Sequence, residues 1–318
     1  MTAGLAVPPR RRCGAAGRCR RALGALALAA VTAVGASCGT GAGGAEVEGV
    51  HVVTTISIFA DFAREVGGDL VTVESIVDIG GDPHTYESRP SDAIRLTDAD
   101  VVLHNGLGLS PWYEQLDGNV QGIDVELTAA IAEEAVTEQD GVVDPHMWMV
   151  PRYVAEGYLP AIAEALAEAD PANAEAYAAN AERYAAEILA LGDELAAEIA
   201  TIAPERRLLV TSHDAYRYFA DEFGFELVGT VIGVSTEEEP RAGEVAELVD
   251  LIRARDIPAI FLETTVNPAV IEQVAADAGA RVGDPLYGDS VGEPGSGAET
   301  YEDMMRANVD ALVEGLNG

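Results

Sequence analysis

Hydrophobic positions recur along this chain with two different periods, and the switches between them mark out its elements. The run from Val50 to Ile56 is mostly apolar and β-branched, as in a strand buried on both faces. A helix is predicted over residues 60–66, stopped by Gly67 and Gly68. "LVTVESIV" reads as a second strand, "DAIRLTDADVVLHNG" as a helix and then a strand at 101–104, and "GIDVELT" as a short further strand. Strands alternating with helices predict a parallel sheet covered by helices.

Between Pro171 and Ala203 the period changes. Tyr177, Ala181, Tyr184, Ile188, Leu191, Leu195, Ile199 and Ile202 follow one another at spacings of three and four. The spacing predicts one helix over 171–203, roughly 45 Å long at 1.5 Å per residue, with Asp170 as its N-cap and Pro204 at its far end. Beyond it the alternation resumes through "RLLVTSH", "FELVGTV", "PAIFLET" and "ARVGDPLY", and it closes on the amphipathic "ETYEDMMRANVDALVEGL". The expected fold is α/β. Two parallel-sheet lobes, residues 50–170 and 204–318, are joined by a single long rigid helix at 171–203, with a cleft between the lobes.

The first 37 residues differ in kind. "RRRCGAAGRCRR" supplies six arginines and no acid, and an apolar stretch of about 15 residues follows, too short to span a bilayer comfortably. This pattern predicts a signal peptide at 1–37 and a Gly-rich flexible tether at 38–49. Of the three cysteines, Cys13 and Cys19 fall inside the signal, so Cys38 alone would survive cleavage and no internal disulfide could form. The segment resembles a bacterial lipoprotein signal, which implies lipidation of Cys38. Gly35 stands where such signals usually carry a leucine-like residue, so plain secretion is the alternative.

Charge excludes some partners. The chain has 54 acidic residues against 19 basic ones, every basic residue is arginine, and the net charge is −35. Such a surface repels nucleic acid and anionic lipid headgroups. Its plain effect is solubility; its sharper one is to gather cations.

Five histidines are present, and two share one frame: "DPHTY" at 82–86 and "DPHMW" at 144–148. His84, His146 and His213 each fall where a strand or loop gives way to a helix or turn. Asp289 follows the last strand in the same manner. Ligands of open α/β folds bind at the carboxyl ends of strands. Three imidazoles and a carboxylate suit a four-coordinate metal, and ligand softness favours zinc over manganese. The gaps of 62, 67 and 76 residues match no local metal motif, so three structurally satisfied histidines remain an alternative at this point.

The segments "DPHTYESRPSD", "ADVVLHNGLGL", "DPHMWM", "TSHDAYRYFADEFG", "STEEEP" and "IFLETTVNP", in that order, resemble the metal-binding solute-binding lipoproteins of zinc and manganese ABC importers, the TroA/ZnuA-like family. The likeness covers nearly all of residues 50–317. It implies an extracytoplasmic, lipid-anchored, monomeric protein that hands a divalent cation to a permease. It further implies His84, His146, His213 and Asp289 as the ligands. Manganese-preferring relatives often carry glutamate at the third position, so His213 leans to Zn2+. The absence of a histidine-rich loop before "DPHMWM" and the form of "STEEEP" lean to Mn2+. Zinc is expected first, manganese next and iron(II) third.

Other residues are assigned more modest roles. His51 and His104 lie outside the ligand motifs and are expected to be structural. Asp82 and Asp144 either orient the ligand loops or cap turns. Glu263 is expected near the cleft, behind the ligands. Tyr86, Trp148 and Tyr287 either shield the metal or simply pack. Glu237, Glu238 and Glu239 read as a cation funnel or a solvated loop. The rival functions are a zinc hydrolase, which needs an open coordination position, and a surface adhesin.

Overall fold

Strand β1 (Val50–Thr54) lies between β2 (Val71–Ser75) and β3 (Val101–His104), and β4 (Ile123–Glu126) pairs with β3. All four are parallel, in the order β2-β1-β3-β4. The computed structural model describes residues 49–317 except Asp140 and Glu239, so the expected signal peptide, the tether as far as residue 48 and Cys38 lie outside the described residues. Helix α1 (Ser57–Gly67) connects β1 to β2 and stops at Gly68, whose φ of 55° suits a residue without Cβ. Helix α2 (Pro90–Asp98) begins with proline in its first turn, and the Asp92 carboxylate accepts the Arg89 backbone N–H at 2.7 Å. A two-residue hairpin follows, β5 (Glu138–Gln139) with β6 (Val142–Val143).

A helical run over 151–169 was not expected from the sequence. It comprises α3 (Pro151–Tyr153), a π turn (Val154–Tyr158) and α4 (Leu159–Ala169). Proline at 151 and 160 and glycine at 157 break its period, and tertiary burial of Val154, Tyr158, Leu159 and Ile162 restores it. Helix α5 (Ala174–Ile199) is the expected long element, 26 residues and so about 39 Å. It starts later than expected. The Asp170 carboxylate accepts hydrogen bonds from Asn173 Nδ2 (2.5 Å) and the Tyr177 hydroxyl (3.1 Å), holding a tight turn that folds α4 back on α5. All the apolar stripe positions of the sequence pattern are buried.

The second half contains β7 (Leu208–Thr211), α6 (Arg217–Phe223), β8 (Glu226–Thr230), α7 (Ala242–Ala254), β9 (Ala259–Ile260), α8 (Ala269–Ala278), β10 (Arg281–Val282) and α9 (Tyr301–Asn317). β7 and β8 are parallel, β9 and β10 are parallel, and a parallel bridge between Thr211 and Phe261 joins the pairs. β9 is shorter than "PAIFLET" predicted, because beyond Ile260 the pairing continues only as single bridges and bonds such as Leu286 N–H to the Leu262 carbonyl at 2.8 Å.

The fold is therefore two parallel-sheet α/β lobes joined by one long helix. Its cores explain how the lobes hold together. Alternate residues along a strand face opposite sides. Val53 and Val102 point into a core private to the first lobe, and Val210 and Ile260 into one private to the second. Val52, Leu103, Leu209 and Phe261 point the other way, into a single apolar core common to both. Aromatic rings carry that core between the lobes. Phe62 of α1 meets Tyr301 of α9 at 5.0 Å, and the Tyr301 hydroxyl donates to the Trp148 carbonyl at 2.7 Å, with Phe59 packed on Trp148 at 5.7 Å within the first lobe. Helix α5 packs on α1, α4 and α9.

Candidate metal centre

The two Asp-Pro-His frames build the same turn. Asp82 Oδ1 accepts the His84 backbone N–H at 2.9 Å, and Asp144 Oδ1 accepts that of His146 at 2.9 Å. This is the self-capping turn of which aspartate is capable. His213 lies two residues beyond the end of β7, and Asp289 lies on the loop after β10, so the second lobe presents both at the carboxyl side of its sheet.

These four residues converge. One ligating atom from each of His84, His146, His213 and Asp289 lies within 4.8 Å of all the others. His146 Nε2 is 3.4 Å from His84 Nε2, 3.4 Å from His213 Nε2 and 3.4 Å from Asp289 Oδ1. His213 Nε2 is 3.5 Å from Asp289 Oδ2. A tetrahedral ion with bonds of about 2.05 Å would set its donors about 3.3 Å apart. Both Asp289 oxygens are buried and make no hydrogen bond, a costly state for a carboxylate that positive charge at the centre, from a bound cation or from protonated imidazoles, relieves. The residues present thus fit a divalent ion.

The residues behind the ligands fix their orientation. The Asp144 carboxylate is 2.8 Å from His146 Nδ1, and since a carboxylate only accepts, Nδ1 carries a proton and Nε2 is the nitrogen turned to the cleft, able to ligate once any proton of its own has left. Glu263 Oε2 lies 2.7 Å from His213 Nδ1, close enough to pair with its charge though not aligned as a hydrogen bond, while Oε1 accepts the His213 backbone N–H (2.9 Å) and the Ser212 hydroxyl (3.2 Å). A Cβ on Gly288 would sit 2.7 Å from Glu263 Oε2, so that carboxylate has its position only because residue 288 has no side chain. His84 differs: Asp82 grips its backbone but does not reach its ring.

Charge follows from this arrangement. Burial is the largest influence on His84 and pushes its imidazole down to about 3, with Asp289 offsetting only part. Burial also opposes charge on His146, but the Asp144 hydrogen bond and the negative charge of Asp144 and Asp289 outweigh it and raise that imidazole to about 10. His213 is raised in the same way by Glu263 and Asp289. Burial would lift Asp289, yet the positive field of His213 and His146 holds it well below the usual carboxylate range. The empty centre therefore keeps protons where a metal would sit.

Residues 52–315 match the sequence profile of the periplasmic zinc-uptake complex component A family, ZnuA. The chain belongs to this family. ZnuA-type proteins are solute-binding proteins of metal ABC transporters, not enzymes. The manganese-binding lipoprotein MntA of Halalkalibacterium halodurans is 39% identical over 290 residues, covering 90% of this chain and 96% of that protein. The iron-binding protein YfeA of Yersinia pestis is 35% identical, covering 83% and 86%. The periplasmic zinc-binding protein TroA of Treponema pallidum superposes with a TM-score of 0.81 at 28% identity, covering 84% of this chain and 99% of that one. Manganese recurs in the names of further relatives.

The remaining candidates are placed as follows. His51 Nε2 pairs with Glu74 at 3.0 Å on the rim of β1, and His104 stacks on Tyr113 at 4.6 Å beside Asp124; neither joins the centre. Trp148 packs edge-on to His146 at 5.2 Å and donates to the Gly288 carbonyl at 2.9 Å. Tyr86 faces Trp112 instead and donates to Asp92, and Tyr287 offers its carbonyl to the Tyr216 hydroxyl. Two contributors were not singled out in the sequence. Thr236 donates to Asp82 Oδ2 at 2.5 Å, and Ser290 accepts the Gly80 N–H at 2.8 Å. A hydroxyl has no periodic or spacing signal that would reveal a partner more than 150 residues away.

Proposed function

We propose that this protein captures one divalent transition-metal ion, as transported substrate, between His84 Nε2, His146 Nε2, His213 Nε2 and the Asp289 carboxylate, and hands it to the permease of its importer. The observation that carries this reading is the buried Asp289 carboxylate, making no hydrogen bond and facing three imidazoles. Two ligands come from each proposed lobe, 50–170 and 204–318, with 171–203 as the link. Cys38, once lipidated, anchors the mature monomer on the outer side of the cell membrane. The relatives named lipoproteins support this, and among the described residues no helix is long and apolar enough to cross a membrane.

The donor set supports zinc as the tighter ligand, since imidazole suits zinc and manganese lies below it in the general affinity order. The relatives' names support manganese more often than zinc. The Asp289 oxygens face two different histidines, so the site offers a fifth donor to an ion that prefers more than four. We assign it tighter binding of Zn2+, with Mn2+ as second cargo. Metal analysis of protein purified without added ions, followed by zinc–manganese competition, tests this. Zinc displacing manganese at equal concentration is expected, and stronger manganese binding overturns the assignment. The hydrolase reading is set aside by family membership, and no feature of the site favours an adhesin.

A further inference from the structure

The three imidazoles are not held alike. His146 and His213 each rest on a buried carboxylate from their own lobe, at 2.8 and 2.7 Å. Among the described residues no carboxylate plays that part for His84, which is also the most exposed of the three at 3% against 0% for the others. Its loop has an exposed outer face at Gly80 and Thr85. Its own lobe anchors it through Trp112 Nε1, which donates to the Pro83 carbonyl at 3.1 Å, and through Thr85, whose hydroxyl shares Asp82 Oδ2 at 2.9 Å; contact with the opposite lobe closes it further. Asp82 Oδ2 accepts the Thr236 hydroxyl at 2.5 Å, and Ser290 Oγ accepts the Gly80 N–H at 2.8 Å. The same Asp82 uses Oδ1 to fix the His84 backbone at 2.9 Å, so one side chain joins the ligand to the far lobe. Behind the centre the lobes are fused by an apolar aromatic core, which leaves little freedom for rotation.

We infer that the ion leaves past His84, and that the Asp82–Thr236 hydrogen bond is the latch that sets the rate of release. This rests on the metal-capture reading above and deepens it: Asp82 and Thr236 are positioning residues, and His84 is the ligand that lets go first. A hydroxyl donating to a carboxylate is among the stronger hydrogen bonds. Losing it removes one of the loop's two hydrogen bonds to the far lobe without touching any ligand.

Stopped-flow transfer of zinc from the loaded protein to an excess of chromogenic chelator measures release. Thr236→Val keeps the shape and removes the donor, and it is expected to release zinc about tenfold faster. Thr236→Ser restores the hydroxyl and is expected to release at the native rate. Cobalt(II) absorption, which reports the ligand set, should be the same in all three proteins. The latch is overturned if Thr236→Val releases within twofold of the native rate, if Thr236→Ser is as fast as Thr236→Val, or if the cobalt spectrum shifts with Thr236→Val. Failure of the native protein to take up zinc at all is a different result, and it overturns the capture reading itself.

Discussion

Asp144 Oδ1 meets both the backbone N–H of His146, at 2.9 Å, and its ring Nδ1, at 2.8 Å. One oxygen thus sets the loop and the tautomer together. Asp144→Asn keeps an acceptor but loses the charge that makes the imidazole basic. Its zinc affinity should fall about tenfold in a competition titration. An unchanged affinity would remove Asp144 from any role beyond the turn.

His146 lies close to all three other ligands, so its loss should be the most damaging. His146→Ala is expected to bind zinc at least a thousandfold more weakly, on the order of 4 kcal/mol. The rise in melting temperature that zinc gives the native protein should disappear with it, because only a ligand that binds the folded state shifts the transition. A variant that still gains stability from zinc would defeat the ligand assignment.

Metal should exchange for protons. Since the His146 imidazole is held up at about 10, it is protonated in the empty centre at neutral pH, and His213 is shifted in the same direction, so protons compete with the metal. Binding must expel them, so affinity rises with pH up to about 10 and falls steadily toward acid. Titration calorimetry at pH 7 in two buffers of different ionisation enthalpy should show about one proton or more released per zinc. Zero release would contradict the charge arrangement.

Asp61 supplies a pH effect away from the metal. Burial pushes its carboxyl up to about 6, against the Tyr301 backbone N–H that it accepts at 2.9 Å. The unfolded value is near 3.9. Between about pH 4 and pH 6 the folded state binds more protons than the unfolded one, so this group adds stability as pH falls through that window and its contribution is lost above it. Asp61→Asn should remove the effect. Measured by urea unfolding, the stability of the variant relative to the native protein should improve by on the order of 2–3 kcal/mol from pH 4 to pH 7.5. No change in that difference would disprove the buried charge.

Gly288→Ala places a methyl group 2.7 Å from Glu263 Oε2. The carboxylate must shift, and His213 loses the partner that orients it. Zinc affinity should drop about tenfold, with a cost of about 1–3 kcal/mol in stability. Normal affinity in a well-folded variant would show that Glu263 has room to move.

Much of this was legible in the sequence, for identifiable reasons. The α5 stripe from Tyr177 to Ile202 has a strong period, and its burial follows from that alone. The paired Asp-Pro-His frames announce themselves because histidine is rare here and the turn is local. Glu263 could be placed near the cleft, since it ends a buried strand, but its 2.7 Å approach to His213 depends on a glycine 25 positions later. The run 151–169 was missed because Pro151, Gly157 and Pro160 disguise a helix that only packing sustains. Thr236 and Ser290 act through hydroxyl bonds to segments far away in the chain, and no pattern along one chain encodes such a bond.

The aromatic seam joining Phe59, Phe62, Trp148 and Tyr301 has a consequence for whatever receives the cargo. A body fused along its back has little room to swing its lobes apart. If release runs past His84, a receptor that senses loading would read the lip around that residue, much as one judges a purse by its clasp and not by its outline.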